Sequence, residues 1–156
     1  MLIALIGFAH GEVVPAGSPA QEKTADLNTL ARKQIETLHR QLKKDAAAFL
    51  KLDDTKRHRT RKRLKRLRYC SEFVASLYRA KPVRRYLKGL RPAQDVLGEY
   101  VDLMMAEAAF RQQLEHDGRA WFSLGWLAAR RAQILPNTAR TLKDLKKAPK
   151  FWLDAK

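Results

Sequence analysis

The residues best suited to chemistry lie in one basic run, Lys56 to Arg68, in which nine of thirteen residues are Lys or Arg. Arg presents a planar fork to phosphate oxygens, and Lys presents a compact charge. At about 100° per residue, one helix edge carries a polar row made of His58, Arg61, Lys65, Arg68 and Glu72. This row predicts that a polyanion binds along the helix edge.

The other faces of the same predicted helix indicate how this row is positioned. An adjacent stripe is less polar and is predicted to face the core: Leu64, Leu67, Ser71, Val74 and Tyr78. Four other cations of the run fall on the other sides and are free to be solvated: Arg59, Lys62, Arg63 and Arg66. A run of cations at the start of a helix opposes the helix macrodipole, a local conflict typical of functional sites.

The formal net charge of +16 is concentrated in one part of the chain. Residues 55–94 hold fifteen cations and one anion, Glu72, which is a net charge of +14. Such a concentration attracts polyanions from solution. Nucleic acid, inorganic polyphosphate and an anionic membrane surface are the natural partners, and a merely solvated helix face is the alternative.

Metal and catalytic chemistry have little support in the sequence. Cys70 is the single cysteine, so no disulfide framework or thiolate metal site is expected, and we expect Cys70 to fill the core. The four His lack metal-binding spacing. Asp95 and Asp102 lie seven residues apart, but no nucleophile, His pair or glycine-rich phosphate loop accompanies them. The sequence therefore predicts no metal, no cofactor and no enzymatic activity.

The fold class is predicted as all-α, a four-helix bundle. Helix-forming residues dominate, and period-two strand patterns are absent from the sequence. Asp26 is expected to cap a first helix ending near Lys51, and residues 53–55 supply acceptors at the start of a second helix, 56–78. Short connections between such helices favour a bundle.

Two prolines are expected to interrupt the later helices. Pro92 predicts a kink or break near residues 89–91 in a third helix, which runs from about residue 81 to 115. Pro136 is expected to end a fourth helix, 119–135, after which Asn137 or Thr138 caps a short turn. Residues 149–152 read as a tail that docks on the bundle.

The domain division separates residues 1–24 from residues 25–156. The first segment is mildly apolar and then turn-rich, but it has no basic start and is too short to span a bilayer. We therefore expect no membrane span and a soluble cytoplasmic protein.

Two motifs follow one another along the chain: His58-x-x-Arg61-x-x-x-Lys65-x-x-Arg68-Tyr69 and Leu90-x-x-x-Gln94-Asp95-x-Leu97-Gly98-x-x-x-Asp102. The two motifs and their separation together resemble the CHAD family, the conserved histidine α-helical domain. The similarity extends over about residues 26–152 and includes Gly125-Trp126 and Pro149-x-Phe151-Trp152. It implies an all-helical, non-enzymatic protein that binds inorganic polyphosphate on a basic surface, with polyphosphate granules as one location.

The family fold normally has two related four-helix halves, and this chain resembles the second half. Residues 1–16 look like the end of a first half. The implied protein partners are a second copy of the chain, as a homodimer, or a separate N-terminal half, either of which would complete the binding surface.

The candidate site combines the polar row with the second motif. The predicted polyphosphate-binding residues are His58, Arg61, Lys62, Lys65, Arg68, Tyr69, Arg84 and Lys88. The predicted supporting residues are Gln94, Asp95, Gly98 and Asp102. We expect His58 to donate to the ligand near the helix start, although a capping or core role is the alternative. Asp95 and Asp102 are expected to pair with Lys65 and Arg68, and Gly98 to allow close helix approach.

Two other functions remain open at this point. A nucleic-acid-binding helical protein is favoured by the same charge, with Tyr69 and Tyr86 available for stacking. No RNP, zinc-finger or helix-turn-helix signature supports it. A metal-dependent phosphohydrolase would need a carboxylate cluster that the sequence does not display.

Overall fold

Four α-helices form the architecture of the computed structural model, which describes residues 20–114 and 117–153. They are α1 (Ala20–Ala48), α2 (Asp54–Phe73), α3 (Ala80–Gln113) and α4 (Ala120–Asp144), and the described residues contain no strand. The predicted all-α four-helix fold is confirmed. Of the predicted apolar segment and linker at 1–24, residues 1–19 lie outside the described residues and residues 20–24 belong to α1. Because α1 begins at Ala20, Asp26 is not its cap.

Helix α2 begins as its sequence predicts. The Asp53 carboxylate accepts a hydrogen bond from the Lys56 backbone N–H at 2.8 Å, which satisfies one of the free donors at the helix start. The helix ends at Phe73, and a single 3₁₀ turn, Ala75–Leu77, leads to α3.

The predicted core stripe of α2 is confirmed. Leu64, Leu67 and Ser71 are buried along the helix, as are Val74 and Tyr78 beyond it. Cys70 is half-buried and packs against the edge of the core. Burial of this stripe fixes the rotation of α2, and the polar row is thereby held at the side of the helix that borders α3.

The expected interruption at Pro92 is wrong, because α3 continues through it to Gln113. An interior Pro removes one backbone hydrogen bond and costs about 3 kcal/mol. Pro92 itself is exposed, whereas Leu90 and Ala93 on either side are buried in the core. Core packing on both sides of the Pro therefore keeps the helix continuous.

The predicted stop at Pro136 is wrong for the same reason. Helix α4 extends to Asp144, and Ala139 and Leu142 beyond the Pro are buried. Thr138 is a residue of the continuous helix and does not cap a new turn. Its hydroxyl donates to the Ile134 carbonyl oxygen at 3.0 Å.

The C-terminal tail docks on the bundle as predicted. Phe151 and Trp152 are each 1 % exposed and contact Tyr86 edge-on or tilted. Trp152 Nε1 donates to Glu36 Oε2 at 2.6 Å, and Lys150 Nζ donates to Glu36 Oε1 at 2.8 Å. These contacts join the tail to α1 and α3.

Candidate functional site: a basic cleft between two helices

An open cleft of about 660 Å³ lies between α2 and α3. The two helices run antiparallel, since Arg57 near the start of α2 contacts Tyr100, and Arg68 near its end contacts Gln94. The lining residues come from both helices: Arg61, Leu64, Lys65, Arg68, Tyr69 and Glu72 from α2, and Leu87, Lys88, Arg91, Gln94 and Asp95 from α3.

Five cations converge on this cleft. Arg61, Lys65 and Arg68 follow one another along α2, with about 5–6 Å of axial rise between neighbours. Lys88 and Arg91 face them from one turn of α3. An extended anion lying in the cleft can therefore contact cations from both walls.

Arg68 is held by two acceptors at the rim of the cleft. Its Nε donates to Glu72 Oε1 at 2.7 Å, and its Nη1 donates to Gln94 Oε1 at 3.3 Å. The hydrogen bond and charge of Glu72 raise the pKa of Arg68. The supporting role predicted for Gln94 is thus a direct contact with Arg68.

The predicted pairing of the two aspartates with Lys65 and Arg68 is wrong. Asp102 lies 3.7 Å from Arg61 instead, because the antiparallel register of α3 places it opposite the earlier part of α2. Asp95 lines the cleft, but within the described part of the chain it forms no ion pair with Lys65 or Arg68. Lys65 Nζ lies 5.8 Å from the centroid of the Tyr69 ring, in a cation–π contact.

Gly98 does not serve close helix approach as predicted. A Cβ at this position would meet only the flexible end of Arg61, with Nη2 at 3.9 Å, an ordinary contact distance. The glycine therefore leaves room beside the Arg61 guanidinium rather than permitting two backbones to touch.

His58 lies away from the cleft. It lines a second pocket of about 350 Å³ with residues that include Asp54, Met104 and Glu107. Its seven-residue separation from Lys65 corresponds to about 10 Å along the helix, and the Arg61–Asp102 pair lies between them. Its Nδ1 is buried without a hydrogen-bond partner among the described residues.

Two further predicted residues also lie outside the cleft lining. Lys62 and Arg84 are exposed on their helices, where they add to the surrounding positive charge. Arg91 also lines the cleft, although it was not among the residues predicted from the sequence. Its spacing of three from Lys88 and four from Asp95 is the helical signal that identifies it, but the break expected at Pro92 obscured that signal.

A different polar cluster lies where the start of α2 meets α3 and α4, and we call it the arginine–carboxylate cluster. It consists of Asp54 and Arg57 from α2, Tyr100 and Glu107 from α3, and Arg131 from α4. Arg57 Nη1 donates to the Tyr100 hydroxyl at 2.5 Å. Arg131 lies between Asp54, with Nη1 to Oδ2 at 2.6 Å, and Glu107, with Nη2 to Oε2 at 3.1 Å. The guanidinium groups there are satisfied by acceptors of the protein.

Comparison with known proteins identifies the family. The CHAD domain family model matches residues 7–111, about two thirds of the chain. The chain therefore belongs to the CHAD domain family. The matched range contains α1, α2 and nearly all of α3, and hence both walls of the cleft. No curated protein and no solved structure matches the chain.

None of the helices at 20–114 and 117–153 combines the length and apolar character needed to cross a membrane. Across the same ranges, no three His, Cys, Asp or Glu side chains come together as a metal site requires.

Proposed function

We propose that this protein binds inorganic polyphosphate in the cleft between α2 and α3 and does not catalyse a reaction on it. The observation that carries the proposal is the convergence of five cations from two helices on one open groove. Polyphosphate is a flexible chain of charges without bases, so repeated charge-assisted donors are what a receptor for it requires. Membership of the CHAD domain family supports the same ligand class.

Three of the five cations can receive the ligand without losing an acidic partner. Lys65, Lys88 and Arg91 form no ion pair with the acidic residues in the described ranges. A phosphate chain that contacts them therefore gains attraction without breaking an existing pair. Arg61 and Arg68 extend the contact along the groove after exchange of their protein partners.

The test is a calorimetric titration with polyphosphate of defined length, with light scattering to report the assembly state. The variant K65A/K88A/R91A removes these three cations. It should bind at least about tenfold more weakly, since three exposed charge contacts of about 0.5 kcal/mol each sum to about 1.5 kcal/mol.

A matched control keeps the change in net charge constant. K33A/K44A/R59A also removes two Lys and one Arg, all of them exposed and outside the cleft lining. It should weaken binding only slightly, through loss of long-range attraction. Equal losses in the two variants would mean that diffuse charge, rather than the cleft, binds the polymer.

Nucleic acid is the second candidate, favoured by the half-exposed Tyr69 ring at the edge of the cleft. Aromatic side chains beside cations stack on unpaired bases. Competition separates the two ligands: polyphosphate should displace single-stranded RNA or DNA of matched charge. Failure of that displacement, together with weaker RNA binding by Y69A, would favour nucleic acid.

A further inference from the structure

Glu72 is an acidic residue in the most basic part of the chain, and the helix itself gains little from it. It lies in the last turn of α2, where the macrodipole disfavours a negative charge. It follows Arg68 by four residues, and this order of cation before anion is the weaker arrangement for a helical pair. Its side chain nevertheless lines the cleft.

A carboxylate oxygen of Glu72 occupies the place at Arg68 that a phosphate oxygen of a ligand would take. Its Oε1 accepts from Arg68 Nε at 2.7 Å, within the range of charge-assisted hydrogen bonds to carboxylate or phosphate. Gln94 Oε1 accepts from Nη1 of the same guanidinium. Both side chains of the Arg68–Glu72 pair are partly open to solvent, at 46 % and 39 % exposure, so an incoming anion can reach and replace the carboxylate.

We propose that Glu72 is an internal competitor that occupies the Arg68 fork in the free protein and thereby selects for linked phosphates over a single phosphate. This inference rests on the proposed function. A single phosphate that takes the fork must displace Glu72 and then lie beside its negative charge, with Asp95 also lining the cleft. A chain of phosphates can avoid this cost, because it can bind through the other cations of the cleft and leave the Arg68–Glu72 pair intact.

The chain avoids that cost through contacts that a single phosphate cannot make at the same time. Lys65, Lys88 and Arg91 line the same cleft and have no acidic partner to be displaced among the described residues. Glu72 therefore lowers the affinity most for a single phosphate that takes the Arg68 fork, and less for a chain that contacts the three other cations instead. Its effect is to raise the number of phosphates needed for stable binding.

The test compares E72Q with a control that removes the same charge elsewhere. Glu99 pairs with Arg130 at 2.7 Å and is 46 % exposed, so its geometry closely matches that of Glu72. Glu99 does not line the cleft. The substitutions E72Q and E99Q each raise the net charge by one and keep the side-chain shape, and each leaves an amide oxygen for the neighbouring Arg.

The probes are inorganic phosphate and tripolyphosphate, titrated by calorimetry and by the NMR signal of the Arg68 Nε–H group. E72Q should raise the affinity for inorganic phosphate about fivefold, as expected for loss of one nearby charge in a largely aqueous site. Its affinity for tripolyphosphate should rise less, so the ratio of the two affinities falls. E99Q should change both affinities equally and slightly.

The outcomes separate this inference from the proposed function. If E72Q and E99Q have the same effect, or if E72Q weakens phosphate binding, then Glu72 is not a competitor, whatever the wild-type protein binds. If the wild-type protein binds no polyphosphate, the proposed function fails. The competitor role of Glu72 is then tested separately: inorganic phosphate must shift the Arg68 Nε–H signal at a lower concentration in E72Q than in the wild-type protein.

Discussion

The two ends of helix α2 carry arginines from the same basic run, but their surroundings differ. At the start of the helix, Arg57 belongs to the arginine–carboxylate cluster, in which Asp54 and Tyr100 accept from its guanidinium. Toward the end of the helix, Lys65 and Arg68 border an open cleft. The acidic group that pairs with Arg68 there is Glu72, at the rim of the cleft. Cations with enclosed protein partners stabilise the fold, whereas those facing an open groove remain available to a ligand.

The largest effect on stability is expected for a substitution in the arginine–carboxylate cluster. R131A should destabilise the protein by roughly 2–3 kcal/mol, because it removes a charged hydrogen-bond partner from Asp54 and one of the two cations that pair with the buried Glu107. Asp54 then keeps Arg57, and Glu107 keeps the more exposed Arg111. Urea unfolding measures this change. The control is R130A, which removes the neighbouring exposed partner of Glu99 and should cost less than about 1 kcal/mol. Similar losses in both variants would show that the arginine–carboxylate cluster is not a stabilising element.

A second prediction concerns His39, which is buried beside the docked tail. Burial, and then the charge of Lys150, lower its pKa from 6.5 to about 4. Between these values the unfolded chain binds a proton that the folded protein does not, so stability is full above about pH 6.5 and falls toward pH 4. From pH 7 to pH 5 the loss should be about 2 kcal/mol, at nearly 1.4 kcal/mol per pH unit below pH 6.5.

The measurement is urea unfolding at pH 7 and pH 5 in the wild-type protein and in H39Q. The Gln can still bond the Tyr86 hydroxyl, which lies 3.0 Å from His39 Nδ1 in the wild type, but it does not titrate. The pKa of the neighbouring Glu36 is lowered from 4.5 by its hydrogen bonds to Lys150 and Trp152, so its titration lies below this window. H39Q should therefore lose less stability between the two pH values. An equal loss in both proteins would contradict the role of His39.

The smallest expected effect is on the stability of the cleft variant. K65A/K88A/R91A should change the free energy of unfolding by less than about 0.5 kcal/mol per residue, since none of the three cations has an acidic partner among the described residues. Loss of like-charge repulsion acts in the stabilising direction. Added salt should weaken polyphosphate binding less steeply in this variant than in the wild type. A destabilisation comparable to that of R131A would place these cations with the structural ones.

The all-α fold and the core stripe of α2 were predictable because helical periodicity is local. Burial of Leu64 and Leu67 follows directly from their spacing. The continuity of α3 and α4 was not predictable in this way. The cost of Pro92 is a local property, whereas the burial of Leu90 and Ala93 that offsets it depends on the other helices.

Composition and helical periodicity are enough to establish that a positively charged helix edge is present and which residues turn toward it. How that edge is used depends on helix packing, because several acceptors of its cations, such as Asp102, Gln94 and Tyr100, lie on α3. The register of α3 placed Asp102 beside Arg61, brought Arg91 into the cleft, and left His58 in a separate pocket. Charge is a property of the residue, but its availability to a ligand depends on which acceptors the packed helices place within reach.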